Sequence, residues 1–222
     1  MIHTKKIILS SAMFSVLLFA SSISYSDWQG NFTVKVTGER KVPEASGIMH
    51  MKKDKLRMDT KTPAEVSTIV HLNAKKAWSL LHTQKMMMEV DLATIESQAP
   101  ICAAADVDAC LKKRGFKKIG AEEMNGHSCT VYEGAVFSKA KEDKKVHVKL
   151  WRPNDLKEVP AVRTVTSEAS NTTVDTNFTE IETITQSDSL FMVPQGYHSM
   201  GNPQDLLKNL SKGLGGIKIP GQ

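Results

Sequence analysis

The sequence lacks every common signature of catalysis. It contains no G-x-S-x-G, no H-E-x-x-H, no Walker loop and no G-x-G-x-x-G. The serine-nucleophile, zinc, phosphate and dinucleotide sites those patterns encode therefore have no local signal. Cysteine is scarce and odd in number: Cys102, Cys110 and Cys129. Neither sign of charge dominates, the formal net charge being +5, and no basic stripe suits nucleic acid. After residue 20 no apolar run approaches the ~20 residues that span a bilayer.

The N-terminus carries the clearest positive signal. Lys5 and Lys6 precede an apolar run from Ile7 to Ala20, and Ser24-Tyr25-Ser26 places small residues before Asp27. This pattern predicts a secretory signal peptide over residues 1–26, cut before Asp27, and a periplasmic mature chain. Its removal takes away Lys5 and Lys6, leaving a charge of +3 and no transmembrane segment. So mild a charge permits peripheral contact with an anionic membrane but does not demand it.

An oxidising compartment favours a disulfide. Cys102 and Cys110 are close in sequence and form the expected pair. Cys129 lies on an expected strand with Val131 on the same face. It reads either as a buried small apolar side chain or as the partner of a bridge to the helix.

Most of the chain reads as β. Short alternating runs include Phe32, Val34 and Val36, then Ile48 to Lys52, Lys55 to Thr60, Val66 to Leu72, Lys75 to Leu81 and Gln84 to Asp91. Their short connections predict an antiparallel meander. Residues 92–115 interrupt it with a cysteine-containing insert and a helix near 106–114, stopped by Gly115. Strands resume at Phe116 to Met124 and His127 to Phe137 around Asn125-Gly126, a strong hairpin signal. Val146, Val148 and Leu150 alternate next, and strands over Val159 to Glu168 and Thr173 to Thr185 complete the sheet. Residues 201–222 are expected to form a C-terminal helix, near 203–212, and a tail.

Six histidines remain after export, scattered over strands and turns. No catalytic residue and no cofactor is expected. Met49-His50-Met51 and Met86-Met87-Met88 hold ligands suited to Cu(I). On a strand, however, neighbours point to opposite faces, so no trio converges within one strand, and no metal site is expected. The methionines instead fill an apolar face. About ten strands with only two short helices leave part of that face short of cover. Ile69, Trp78, Leu80, Met86, Met88 and Phe178 are large or soft side chains that either line an apolar ligand site or close on one another as core.

The run from Gly47 to Asp59 (Gly47-Ile48-Met49-His50-Met51-Lys52-Lys53-Asp54-Lys55-Leu56-Arg57-Met58-Asp59) resembles a hairpin of LolA/LolB/RseB-like periplasmic proteins, and more closely an uncharacterised group within or near them. Ile69 to Leu80, Gln84 to Glu89 and the closing Phe191-Met192-Val193-Pro194-Gln195-Gly196-Tyr197 agree in order. The resemblance covers about residues 30–200. It implies a mainly β (α+β) fold: a curved antiparallel meander forming an unclosed β-barrel, with a few short helices, whose concave side receives acyl chains, a lipoprotein or a partner segment. On that hairpin Lys55 and Arg57 either meet a head group or pair structurally with Asp59 or Glu89. The chain departs from the pattern by opening on a strand at Trp28 and by its cysteine-containing insert. Non-enzymatic binding of an apolar ligand is the leading expectation. An interaction or regulatory protein that senses envelope state through a protein partner is the rival.

A digest made without reductant tests the cysteine reading by mass spectrometry. The expected result is a peptide linking Cys102 to Cys110 with Cys129 unlinked; a linked Cys129 peptide contradicts it.

Overall fold

A computed structural model describes residues 27–38, 42–91, 107–138, 144–168 and 171–201. The expected signal peptide, Cys102, most of the insert and the C-terminal helix lie outside the described residues.

Twelve strands form one sheet in the order β12-β6-β5-β4-β3-β2-β1-β11-β10-β9-β8-β7. They are β1 (Trp28–Thr37), β2 (Ala45–Lys52), β3 (Lys55–Thr62), β4 (Val66–His71), β5 (Lys76–Leu81), β6 (Met86–Asp91), β7 (Lys117–Met124), β8 (His127–Ser138), β9 (Lys144–Pro153), β10 (Arg163–Glu168), β11 (Thr173–Thr183) and β12 (His198–Ser199). Every pairing is antiparallel except β12 with β6. The sheet does not close into a barrel: β7 and β12 are its two edges. β6 and β7, successive strands of the chain, thus lie on opposite sides of the sheet.

Tight hairpins make the meander possible. Lys53, Lys75, Lys85 and Asn125 adopt positive φ, as does Gly126. Lys53 and Asn125-Gly126 lie in two-residue turns, and Lys75 and Lys85 close four-residue loops; left-handed positions in such loops suit the twist of antiparallel strands. One expected strand is shorter than its apolar run: Val159 to Val162 lie before β10. Pro160 has no N–H for a ladder. The segment instead turns, with the Val159 N–H donating to Leu156 O, and Val159, Ala161 and Val162 plug into three separate apolar clusters.

Among the described residues there is one α-helix, α1 (Val107–Lys113). Val107 and Leu111, one turn apart, are its buried face. Its end is a Schellman cap: the Phe116 N–H reaches Leu111 O, the Gly115 N–H reaches Lys112 O, and Gly115 has φ +81. Asp108 fastens the helix to the sheet by accepting from Tyr132 Oη at 2.8 Å and Arg152 Nη1 at 2.7 Å. On the same half, Arg163 pairs with Asp175 through two bonds and stacks over Trp151, whose indole N–H donates to Glu122. Cys129 and Val131 share a buried cluster with Trp151, and the Cys129 thiol is free. Burial pushes its pKa up to about 11, so it is an unreactive thiol.

Gly47 marks a close approach. A Cβ there would lie 2.0 Å from Asp59 O and 2.9 Å from the Phe32 ring. Gly47→Ala is expected to cost about 3 kcal/mol, the upper end of overpacking losses. That lowers the midpoint of a thermal melt by roughly 6–12 °C; an unchanged midpoint would show that β2 and β3 are not this close.

Candidate functional site

The register sorts side chains onto two faces. Paired residues on neighbouring strands point the same way, and alternate residues along a strand return to one face. One row runs through Trp28, Met51, Leu56, Val70 and Ala77. A second runs through Gly30, Met49, Met58, Thr68, Ser79 and Met88. A third runs through Phe178, Phe32, Gly47, Thr60, Val66, Leu81 and Met86. The result is an apolar face anchored by Trp28 and Phe32, each 1% exposed, and rich in methionine. Trp28 meets Phe178 edge to face at 6.2 Å, a geometry worth about 0.5–1.5 kcal/mol beyond area burial. Leu156 and Val159, from the loop after β9, pack against this face.

Three buried polar atoms on the apolar face have no hydrogen-bond partner: Trp28 Nε1, Thr68 Oγ1 and Thr176 Oγ1. Thr176 belongs here because it pairs with Val34.

The opposite face is crossed by the chain's own closing segment. Its path starts at Asp27, which accepts from the Ile184 N–H through its carbonyl and from the Gln186 N–H through its carboxylate. The Lys52 ammonium then donates to Gln186 O and the Lys55 ammonium to Asp188 Oδ1 at 2.8 Å. Arg57 Nη1 donates to Leu190 O at 2.9 Å while its Nε bonds Asp59. His71 Nε2 donates to Phe191 O at 2.8 Å. Phe191 is 1% exposed, a plug at the end of a 3₁₀ turn (Asp188–Phe191). The Lys55 ammonium beside Asp188 holds that exposed carboxyl below its usual range.

Farther along this strap, a polar relay passes under it. The Ser67 hydroxyl donates to Asp59, because a carboxylate only accepts. His82 Nε2, 2.6 Å from Ser67 Oγ, therefore donates to it. His82 Nδ1 then accepts from the Tyr197 hydroxyl when the ring is neutral. This direction runs opposite to nucleophile activation, in which the histidine takes the serine proton. Ser67 is also 0% exposed. The pair is structural.

The six residues expected at a ligand divide between the faces. Phe178, Met86 and Met88 lie on the apolar face, with Phe178 and Met86 at opposite ends of one row. Ile69, Trp78 and Leu80 lie on the strap face, where Ile69 and Leu80 are 0% exposed. Lys55 and Arg57 stand on the strap face too, engaged by Asp188 and by Asp59 with Leu190 O. Glu89 pairs with Lys76 instead. Trp28, Phe32, Met49, Met51, Leu56 and Met58 were not singled out in the sequence as site residues, although their period-2 alternation marked the face. Cys110 is not a free thiol; its expected partner, Cys102, lies outside the described residues. Among the described residues no group of three or more His, Cys, Asp or Glu is placed to hold a metal.

A family described as "Domain of unknown function (DUF4412)" matches residues 28–161. The chain belongs to the DUF4412 family. The matched stretch holds the apolar strands and the Lys55–Arg57–Asp59 hairpin but ends before β10, β11 and the strap. No curated protein matches the chain. Among solved structures, MucB aligns at 10% identity and TM-score 0.50, over 82% of this chain and 62% of that one. The lipoprotein LppX of Mycobacterium tuberculosis aligns at 12% identity and TM-score 0.47, over 74% and 91%. A LolA superfamily protein from Nitrosomonas europaea, NE2245, aligns at 11% and 0.43, over 82% and 95%. Another match, PNGF-II, is far larger: the DUF4412 chain spans 33% of its length. The fold is similar to that of MucB.

His50, on the strap face of β2, is 3.8 Å from Asp59, and its Nδ1 is buried without a partner. Burial lowers its pKa below the usual 6.5, outweighing the opposing pull of Asp59. A histidine held neutral in the folded state takes up its proton more readily when unfolded, so stability falls as pH drops through 6.5. Between pH 7 and pH 5 the wild type is expected to lose more stability than His50→Gln in denaturant titrations. Equal losses would contradict this role for His50.

Proposed function

We propose that this chain is a non-enzymatic periplasmic binding protein whose apolar face takes an apolar ligand with a polar end, such as an acyl chain or the lipid anchor of a lipoprotein. The observation that carries the reading is the combination of a buried, methionine-rich apolar face with Trp28 Nε1, Thr68 Oγ1 and Thr176 Oγ1, all buried on it and unpaired. Leaving such a group unpaired costs about 1–3 kcal/mol, and a ligand carbonyl or carboxylate oxygen would relieve it. The three methionines Met49, Met51 and Met58 add adaptability, since thioether side chains repack around varied partners. Phe178, Met86 and Met88 contribute to that face, while Ile69, Trp78 and Leu80 back it beneath the strap. Lys55 and Arg57 act on the strap rather than on a head group. No catalytic role is assigned: the proton of Ser67 is committed to Asp59.

Export through residues 1–26 and a Cys102–Cys110 bridge fit this reading, because periplasmic oxidation sustains disulfides. No described helix is long and apolar enough to cross a membrane.

The rival, a protein partner, is favoured by β7. It is an edge strand, exposed along nearly its whole length, with Ile119 49% exposed, and an open edge accepts an added strand.

The test is titration of delipidated mature chain with cis-parinaric acid, whose fluorescence rises in apolar surroundings. Saturable one-to-one binding is expected. Met51→Gln and Met58→Gln keep side-chain volume but add an amide, and each is expected to weaken binding about tenfold, equivalent to 1.4 kcal/mol. No saturable binding by a folded wild type, or undiminished binding by both folded variants, overturns the proposal.

A further inference from the structure

We infer that the open edge formed by β6 and β12 carries a site for the soft monovalent ion Cu(I), built from Met86, Met88, His198 and Met200. The case begins with register. β12 lies parallel to β6, with His198 opposite Met86 and Ser199 opposite Met87. The ladder continues one residue further: the His198 N–H donates to Lys85 O and the Met200 N–H to Met87 O, each at 2.8 Å. Paired residues share a face and alternate residues return to it. Met86 and Met88 therefore stand on the same face as His198 and Met200. Tyr197 checks this assignment independently. Its hydroxyl bonds His82 on the strap face, so the next residue, His198, turns to the other side.

Four donors then occupy the corners of a patch about 5 Å across the strands and about 7 Å along them. Methionine has three rotatable side-chain bonds, enough for the thioethers to converge on one ion. The patch is also reachable. His198 is exposed, Met200 is 37% exposed, and Met86 and Met88 are half-buried. No core needs to open.

The donor chemistry selects the ion. Three thioethers and one neutral imidazole are soft ligands that favour Cu(I). The set contains no side-chain oxygen, the ligand type that Mg²⁺ and Ca²⁺ prefer. The other methionine–histidine run cannot do this. Met49 and Met51 are 1% and 2% exposed on the apolar face, while His50 points to the strap face beside Asp59. The expectation of no metal site treated each strand alone; β12, invisible in the sequence pattern, supplies the converging partner.

The inference does not depend on the apolar ligand, since the four donors are chain atoms at the sheet edge. It also has a mechanical consequence. An ion bridging β6 to β12 would add to the two-residue strand that pairs the last described part of the strap with the sheet.

The experiment titrates the apo mature chain with Cu(I) anaerobically against a chromogenic Cu(I) chelator, with Ag(I) as a redox-silent second probe. The expected result is one Cu(I) per chain, held tighter than micromolar. The variant Met86→Leu/Met88→Leu/Met200→Leu, which conserves volume, is expected to weaken it on the order of a hundredfold, and His198→Ala about tenfold. Circular dichroism checks that both variants fold; if the triple variant does not, His198→Ala at the exposed edge carries the test alone. X-ray absorption of the loaded protein is expected to report mainly sulfur scattering with one nitrogen. Failure to compete with the chelator overturns the inference. So does a tight site that survives in the folded variants, or one lost instead on Met49→Leu/Met51→Leu.

Discussion

Pairing of β1 with β11 joins the first strand of the chain to the last long one, and the rest of the architecture hangs from it. The two are separated by well over a hundred residues, so the contact is entropically slow to form. Once made, it sets Phe32 against Phe178 and Val34 against Thr176, merging a six-strand meander and a five-strand meander into one continuous sheet. A bulge between Gln29 and Asn31, with Glu180 at φ +51 opposite, absorbs the mismatch between the halves. The same junction launches the strap, because Asp27, just before β1, holds the backbone of Ile184 and Gln186. Apolar face and strap face are thus two consequences of one strand pair.

The hairpin that resembles LolA-like proteins and the closing Phe191-to-Tyr197 motif prove to be two halves of one device. Lys52, Lys55 and Arg57 grip Gln186, Asp188 and Leu190 in order. Much of this is carbonyl capture rather than exposed ion pairing, which matters energetically. A solvent-facing pair such as Lys55 with Asp188 contributes little in water. By contrast, the part-buried carbonyls of Leu190 and Phe191 would lose their partners if Arg57 or His71 were removed. The basic residues of that motif therefore have a structural purpose complete within the chain.

Strand positions were legible because period-2 alternation and left-handed turn residues leave direct marks, as Asn125-Gly126 between β7 and β8 illustrates. The faces were harder to read. Val66 to Val70 is buried at every residue, since the strap covers one side and the apolar clusters the other, and a run buried on both sides hides which side each residue takes. That is why Ile69, Trp78 and Leu80 were grouped with Met86, Met88 and Phe178, from which the sheet separates them. The Val159 to Val162 run failed differently: Pro160 converts β-branched residues into a plug between clusters. β12 had no signal at all, since two residues in a parallel pair show no periodicity. The relay through Ser67, His82 and Tyr197 joins residues up to 130 positions apart, which no local pattern encodes.

The central claim is that the apolar face of this open sheet holds a molecule with a greasy body and a polar end. Native mass spectrometry of the mature chain, purified from bacterial envelope without delipidation, tests it most directly. The account predicts a mass excess that disappears on denaturation and is recovered in the organic phase as an acyl species. A chain of bare polypeptide mass, folded and free of any releasable apolar molecule, would contradict it.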